Sequence, residues 1–239
     1  MNRPLKMKTA GILGGMTSQA TIEYYQAINA GINSVYGGHE IAETIIIGVN
    51  FGNIEFYVRN DKWKEAKDYL QSKALQAQAA GADLLVCASN KMHKVLDDIE
   101  KIINIPFIHI MTPIISVAIK QNLKKVGLIG TIPVMKEDFL SQKLTKRGID
   151  VIAPPNENMV EIDRILFDET SKGIVKDESI AFIKSTIKNL ISKGAQGIVL
   201  ACTELFLLVK ENDFPDIQIL DTTKLHIQEV VKTMTNDIE

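Results

Sequence analysis

The sequence predicts an α/β protein made of two parallel-sheet domains, and three observations carry that prediction. Short unbroken apolar runs alternate with helix-length amphipathic segments along nearly the whole chain. Short patterns from the first half recur in the second. The length, 239 residues, is enough for two domains of roughly 120 residues each.

The apolar runs are Thr9–Leu13, Thr44–Val49, Leu84–Ala88, Phe107–Ile110, Lys125–Ile129, Asp150–Ile152, Gly197–Ala201 and Ile217–Leu220. They lack the apolar–polar alternation of a half-exposed strand, so they read as strands buried on both faces. Between them, Ala20–Ile32, Trp63–Ala79, Pro113–Gln121, Lys136–Arg147 and Ser179–Ser192 carry apolar residues at a spacing of three to four, the pattern of a helix with one buried stripe. Strands separated by helices imply crossover connections and parallel sheets covered by helices.

The repeat is visible at two places. Thr9-Ala10-Gly11-Ile12-Leu13-Gly14 echoes Lys125-Val126-Gly127-Leu128-Ile129-Gly130, an offset of 116 from Gly11 to Gly127. Gly81-Ala82-Asp83-Leu84-Leu85-Val86-Cys87-Ala88-Ser89-Asn90 echoes Gly194-Ala195-Gln196-Gly197-Ile198-Val199-Leu200-Ala201-Cys202-Thr203, an offset of 113. The expected organisation is a first domain over residues 1–112 plus 213–239, with a pseudosymmetric second domain over 113–212 inserted into it. The repeat pairs Ser89 with Cys202, each at the carboxyl end of a strand, where open α/β sheets place ligands. Two facing halves with an interdomain cleft would set these side chains on opposite sides of one substrate, the layout for moving a proton between the faces of a carbon.

Composition narrows the function. Hydrophobic residues make up 46% and charged residues 23%, and the formal charge is -2. No basic stripe supports nucleic-acid binding. No run reaches the roughly 18 apolar residues of a membrane span, and the basic start Met1-Asn2-Arg3-Pro4-Leu5-Lys6 lacks the apolar region of a signal peptide. The two cysteines form neither a disulfide framework nor a zinc pattern, and the four histidines lack metal spacing. A cytoplasmic protein without a metal is expected. Cys202, in Ala201-Cys202-Thr203-Glu204, follows an apolar strand and is placed to be a partly exposed thiol acid/base; equally, cysteine is a common small core residue. The turn Gly11–Gly15 is not Gly-x-Gly-x-x-Gly and argues little for a dinucleotide.

Six blocks occur in order along the chain. They are Gly11-Ile12-Leu13-Gly14-Gly15-Met16 with Ala20-Thr21 and Tyr24-Tyr25; Ser89-Asn90-Lys91-Met92-His93-Lys94; Pro106-Phe107-Ile108-His109; Gly127-Leu128-Ile129-Gly130-Thr131; Ala201-Cys202-Thr203-Glu204; and Asp221-Thr222-Thr223-Lys224-Leu225-His226. Together they resemble the aspartate/glutamate racemase family. The resemblance implies an enzyme that uses neither metal nor pyridoxal phosphate, an amino acid as its small-molecule partner, and a homodimer. One acid/base residue removes the α-proton and a second returns it on the opposite face. Cys202 is implied as one of the pair, taking the proton from the L-isomer. Asn90 is implied to donate to the α-carboxylate. Met16, Thr17, Thr131, Thr203 and Glu204 are expected to line the same substrate.

The chain departs from the pattern in three places. Ser89-Asn90-Lys91 stands where the family usually shows Cys-Asn-Thr, so a hydroxyl replaces the first thiol. Serine is a weak base unless activated, so Ser89 returns a proton more readily than it removes one. Cys87 lies two residues upstream, about 6.6 Å along a strand and too far to substitute. Lys91 either supplies charge to the carboxylate, activates Ser89, or is an exposed lysine. Asn50 stands where relatives often have Asp. Glu161 stands where relatives with acidic substrates place a basic residue; either the nearby Arg164 pairs with a substrate carboxylate, or the substrate side chain is neutral or basic. His93 is expected to steady its loop, while His109 and His226 are expected in capping or supporting roles. Two other readings fit Ser89 opposite one thiol: a single-thiol decarboxylase of the same superfamily, and a degenerate member that binds an amino acid without turnover.

Overall fold

The computed structural model describes residues 6–235; most of the basic start of the chain lies outside them. The chain divides into two units, Met1–Ile110 with His226–Glu239, and Met111–Leu225. The first holds β1 (Ala10–Gly14), α1 (Ser18–Tyr36), β2 (Thr44–Gly48), α2 (Phe51–Arg59), α3 (Trp63–Ala79), β3 (Leu84–Cys87) and α4 (His93–Leu96). The second holds α5 (Met111–Lys120), β4 (Lys125–Gly130), α6 (Ile132–Lys136), α7 (Asp138–Thr145), β5 (Asp150–Ile152), α8 (Asn156–Arg164), α9 (Asp177–Ser192), β6 (Gly197–Ala201) and β7 (Gln218–Asp221). Helix α10 (Thr222–Thr235) begins in the second unit and ends in the first.

Both sheets are parallel. The first has the order β2-β1-β3 and the second β5-β4-β6-β7. The repeat read from the sequence is present in the register: Ala10 pairs with Leu84 as Val126 pairs with Gly197, at the same offsets of 116 and 113. β1 and β3 are buried throughout, and alternate residues serve opposite faces. Leu13, Leu85 and Cys87 join the cluster under α3, whereas Ile12, Leu84 and Val86 join the one under α1 and α10. A core of Ile129, Ile198 and Leu200 with Ile183 and Ile187 of α9 plays the same part in the second unit.

The structure departs from the expected elements in three ways. Residues 213–225, expected with the first domain, carry β7, which is hydrogen-bonded to β6 and so stays with the second sheet until α10 crosses over. Phe107–Ile110 forms only a bridge at Leu85–Phe107, because the backbone beyond it turns to histidine side chains. The helix expected over Lys136–Arg147 is α7, shortened to Asp138–Thr145, and a separate short helix that was not expected, α6, precedes it across an extended Glu137. No helix among the described residues is long and apolar enough to cross a membrane.

Candidate active site

The carboxyl edge of the first sheet is shaped by three turns. After β1 the chain turns through Gly15, whose φ is +86°; a Cβ there would sit 2.3 Å from the Val49 carbonyl oxygen. Only glycine tolerates both conditions. Thr17 caps α1 by accepting from the Ala20 amide, and the Thr21 hydroxyl accepts from the Gly15 amide. Met16 is buried in the core. After β2, exposed Asn50 caps α2 by accepting from the Gly52 amide at 2.9 Å. After β3 come Ser89 and Asn90, only 8% and 4% exposed. The Ser89 carbonyl accepts a hydrogen bond from His93 Nδ1 at 2.8 Å. Lys91 reaches Glu55 of α2 at 3.3 Å, and Glu55 also holds Arg59 at 2.9 Å. Burial pushes the Glu55 carboxyl up, but Arg59 and Lys91 outweigh it and hold it below its ordinary value. Cys87 is fully buried, and loss of water pushes its thiol up to about 12, against a weak contact to the Ser89 carbonyl. It is a core thiol that stays protonated.

The carboxyl edge of the second sheet carries the other thiol. Cys202 follows β6 directly and is partly exposed. Its Sγ lies 3.2 Å from Glu204 Oε2, and the Thr203 hydroxyl donates to the same oxygen at 2.6 Å. Glu204 is 6% exposed. A buried carboxylate therefore accepts from the thiol and from the neighbouring hydroxyl together. After β4, Gly130 admits the Ala201 carbonyl, which a Cβ would meet at 2.7 Å. Thr131 follows, its hydroxyl oxygen buried without a hydrogen-bond partner. The Ile132 amide that opens α6 is capped by Asp163 of α8 at 2.8 Å. Further along α8, Arg164 is bound by both oxygens of Glu161, at 2.6 and 2.8 Å, and by Glu169 at 2.8 Å. Among the described residues no group of three or more His, Cys, Asp or Glu side chains is placed to hold a metal.

This geometry can be set beside known proteins. The family model described as Asp/Glu/Hydantoin racemase matches residues 13–230. The chain belongs to that family. The solved structure of a candidate Asp/Glu racemase from Yersinia pestis shares 35% identity, with a TM-score of 0.88, covering 95% of this chain and 98% of that one. An aspartate racemase homologue from Pyrococcus horikoshii OT3 is 31% identical, with a TM-score of 0.82, over 96% of this chain and 100% of that one. A broad specificity amino-acid racemase of Bacillus subtilis is 21% identical across 93% of this chain and 96% of its own length. The match to the glutamate racemase of Aquifex pyrophilus spans 60% of this chain and 56% of that protein.

Within this racemase family chain, Met16, Thr17, Asn50, Ser89, Asn90 and Lys91 all sit at the carboxyl edge of the first sheet. Thr131, Cys202, Thr203 and Glu204 sit at that edge of the second. Glu161 stands apart on α8 in its ion pair with Arg164. Three features escaped sequence reasoning: the carboxylate of Glu204 on the thiol, the buried orphan hydroxyl of Thr131, and the Asp163 cap. The Cys-x-Glu spacing at a strand end was the available signal for the first. The other two depend on packing between segments and leave no local mark.

Proposed function

We propose that this protein is a cofactor-independent amino acid racemase in which Cys202 works at one face of the α-carbon and Ser89 at the other. The observation that carries this reading is the Cys202 thiol, partly exposed at the end of β6 and hydrogen-bonded to the Glu204 carboxylate. The thiol proton passes to Glu204, and the resulting thiolate removes the α-proton of the L-amino acid, leaving its electron pair in a planar carbanion. A proton delivered to the opposite face by Ser89 completes inversion. The matching register of β3 and β6, which pairs Ser89 with Cys202 across the repeat, supports that division of labour. Asn90 binds the α-carboxylate, while Met16, Thr17, Asn50, Thr131 and Thr203 shape the surroundings.

The substrate side chain is neutral or basic. Arg164, the cation nearest the position where acidic-substrate relatives carry one, is already matched by Glu161 and Glu169, and Lys91 is matched by Glu55. A substrate carboxylate would have to displace one of these pairs. The protein acts as a homodimer in the cytoplasm, a reducing compartment that keeps Cys202 a thiol.

The test is incubation with a panel of L- and D-amino acids in D2O, following loss of the Cα proton by NMR. Cα exchange that disappears in Cys202→Ala, fastest with neutral or basic amino acids, is the expected result. No exchange with any amino acid sinks the reading. A second reading has its own support: Cys87 is buried, leaving a single accessible thiol, and a decarboxylase needs only one proton donor. Carbon dioxide release from a malonate-type substrate would favour it.

A further inference from the structure

The last pairing of Phe107–Ile110 with β3 is the Ile108 amide on the Leu85 carbonyl at 2.9 Å, and beyond it two buried histidines take over the Ile108 carbonyl and the Ile110 amide. His93 Nδ1 lies 2.8 Å from the Ser89 carbonyl, and its Nε2 lies 3.1 Å from the Ile110 amide. A carbonyl only accepts and an amide only donates, so this ring is neutral with its proton on Nδ1. His226 is the mirror case. Its Nε2 donates to the Ile108 carbonyl at 2.8 Å, and its Nδ1 accepts from the Tyr24 hydroxyl at 2.7 Å. Both rings are fully buried, 6.2 Å apart between centroids. Loss of water pushes His226 down to about 4, which keeps it neutral too. The ring of His109 lies 4.5 Å from that of His93 and contacts Asp97 at 3.2 Å.

His93 opens α4, four residues beyond Ser89, so its ring folds back across the turn that follows β3. The orientation of the Ser89 carbonyl is set by the backbone rotations that also aim the Ser89 hydroxyl and the Asn90 amide. Holding that carbonyl therefore holds the aim of both side chains. We propose that His93 is the positioning residue for Ser89, its Nδ1–H clamping the turn while its Nε2 anchors it to the Ile110 amide. The inference rests on the role assigned to Ser89 under the racemase reading. It places a burden on a residue that touches no substrate: the face served by Ser89 depends on His93, and the face served by Cys202 does not.

The two amide side chains separate the two ends of the ring. Asparagine reaches the position of Nδ1 and keeps a donor for Ser89, whereas glutamine reaches the position of Nε2 and keeps an acceptor for Ile110. Each variant orphans one buried backbone group, so both lose stability to a similar degree, and the discriminating readout is exchange of each enantiomer in D2O. His93→Gln is expected to slow Cα exchange of the D-enantiomer about 10- to 100-fold, the cost of misplacing a reacting group by on the order of 1 Å. The loss falls on kcat rather than KM, and exchange of the L-enantiomer is unchanged. His93→Asn keeps D-exchange close to wild type. Equal losses in the two variants, or equal losses for both enantiomers in His93→Gln, overturn the inference. If the wild-type protein exchanges no amino acid, the racemase reading fails, and backbone NMR then decides the inference separately. Ser89 and Asn90 amide signals that shift in His93→Gln but not in His93→Asn support it, and identical shifts in both overturn it.

Discussion

Replacing Glu169 with Gln removes one charge from a side chain that is 3% exposed and surrounded by donors. Ser179 Oγ donates at 2.6 Å, Arg164 Nη1 at 2.8 Å and Lys176 Nζ at 3.1 Å. The Ser179 hydrogen bond, then Arg164 and Lys176, hold the carboxyl at about 2 against an ordinary value of 4.5, while burial works the other way. A carboxyl depressed in the folded state contributes stability above its unfolded value and loses it as pH falls through the folded value. The window here runs from 4.5 down to about 2. The unscreened shift corresponds to about 3 kcal/mol at about 1.36 kcal/mol per unit. Arg164 and Lys176 are 42% and 53% exposed, so water screens their charges, and about 1–2 kcal/mol is the reasonable expectation. Urea unfolding followed by circular dichroism, run on wild type and Glu169→Gln from neutral pH into acid, measures it. The gap between them is expected to be about 1–2 kcal/mol at neutral pH and to shrink steadily once the pH passes below the ordinary carboxyl range. A gap that stays constant into strong acid refutes the reasoning, since it would owe nothing to ionisation.

Two further outcomes follow from the site. Ser89→Cys, which restores a thiol at the first position, is expected to raise D-enantiomer Cα exchange at least about tenfold, because a well-placed acid/base group is worth about 10²–10⁴ in rate; unchanged exchange would show that Ser89 is not the second proton carrier. Alkylation of the native protein near neutral pH is expected to modify Cys202 and leave Cys87 untouched until unfolding, given their difference in burial. Mass spectrometry of peptides containing each cysteine checks it, and equal labelling of both contradicts the reading of Cys87 as a core thiol.

What the sequence revealed tracks how much each segment buries. β1, β3, β4 and β6 are apolar on both faces, so their unbroken runs had only one interpretation. α2 and α8 were not anticipated, for a simple reason. Each is nine residues long; α2 buries only Ile54, and α8 only Met159 and Ile162. A helix touching the core once or twice per length has no periodicity to read. Phe107–Ile110 misled in the opposite direction: its composition is that of a strand, but its Ile110 amide and Ile108 carbonyl are satisfied by residues 17 and 118 positions away. The correspondence of Ser89 and Cys202 was legible because the same short patterns recur at matching spacing. The ties that give each its setting, His93 to the Ser89 carbonyl and Glu204 to the thiol, arise from turns whose shape no local pattern encodes.

The first unit is assembled from two separated stretches of chain, and this has a consequence for biosynthesis. Ile227, Val230 and Met234 complete the core beside Ile12, Tyr24 and Ile28, and His226 supplies the partner for both Tyr24 and Ile108. As the polypeptide leaves the ribosome, the first 110 residues wait without these groups, while residues 111–225 emerge as one uninterrupted stretch. The domain encoded second is thus able to fold first, and the domain encoded first closes last. A nascent chain stalled just before His226 holds an unfinished core, lacking the ring that meets the Tyr24 hydroxyl and the Ile108 carbonyl in the finished fold.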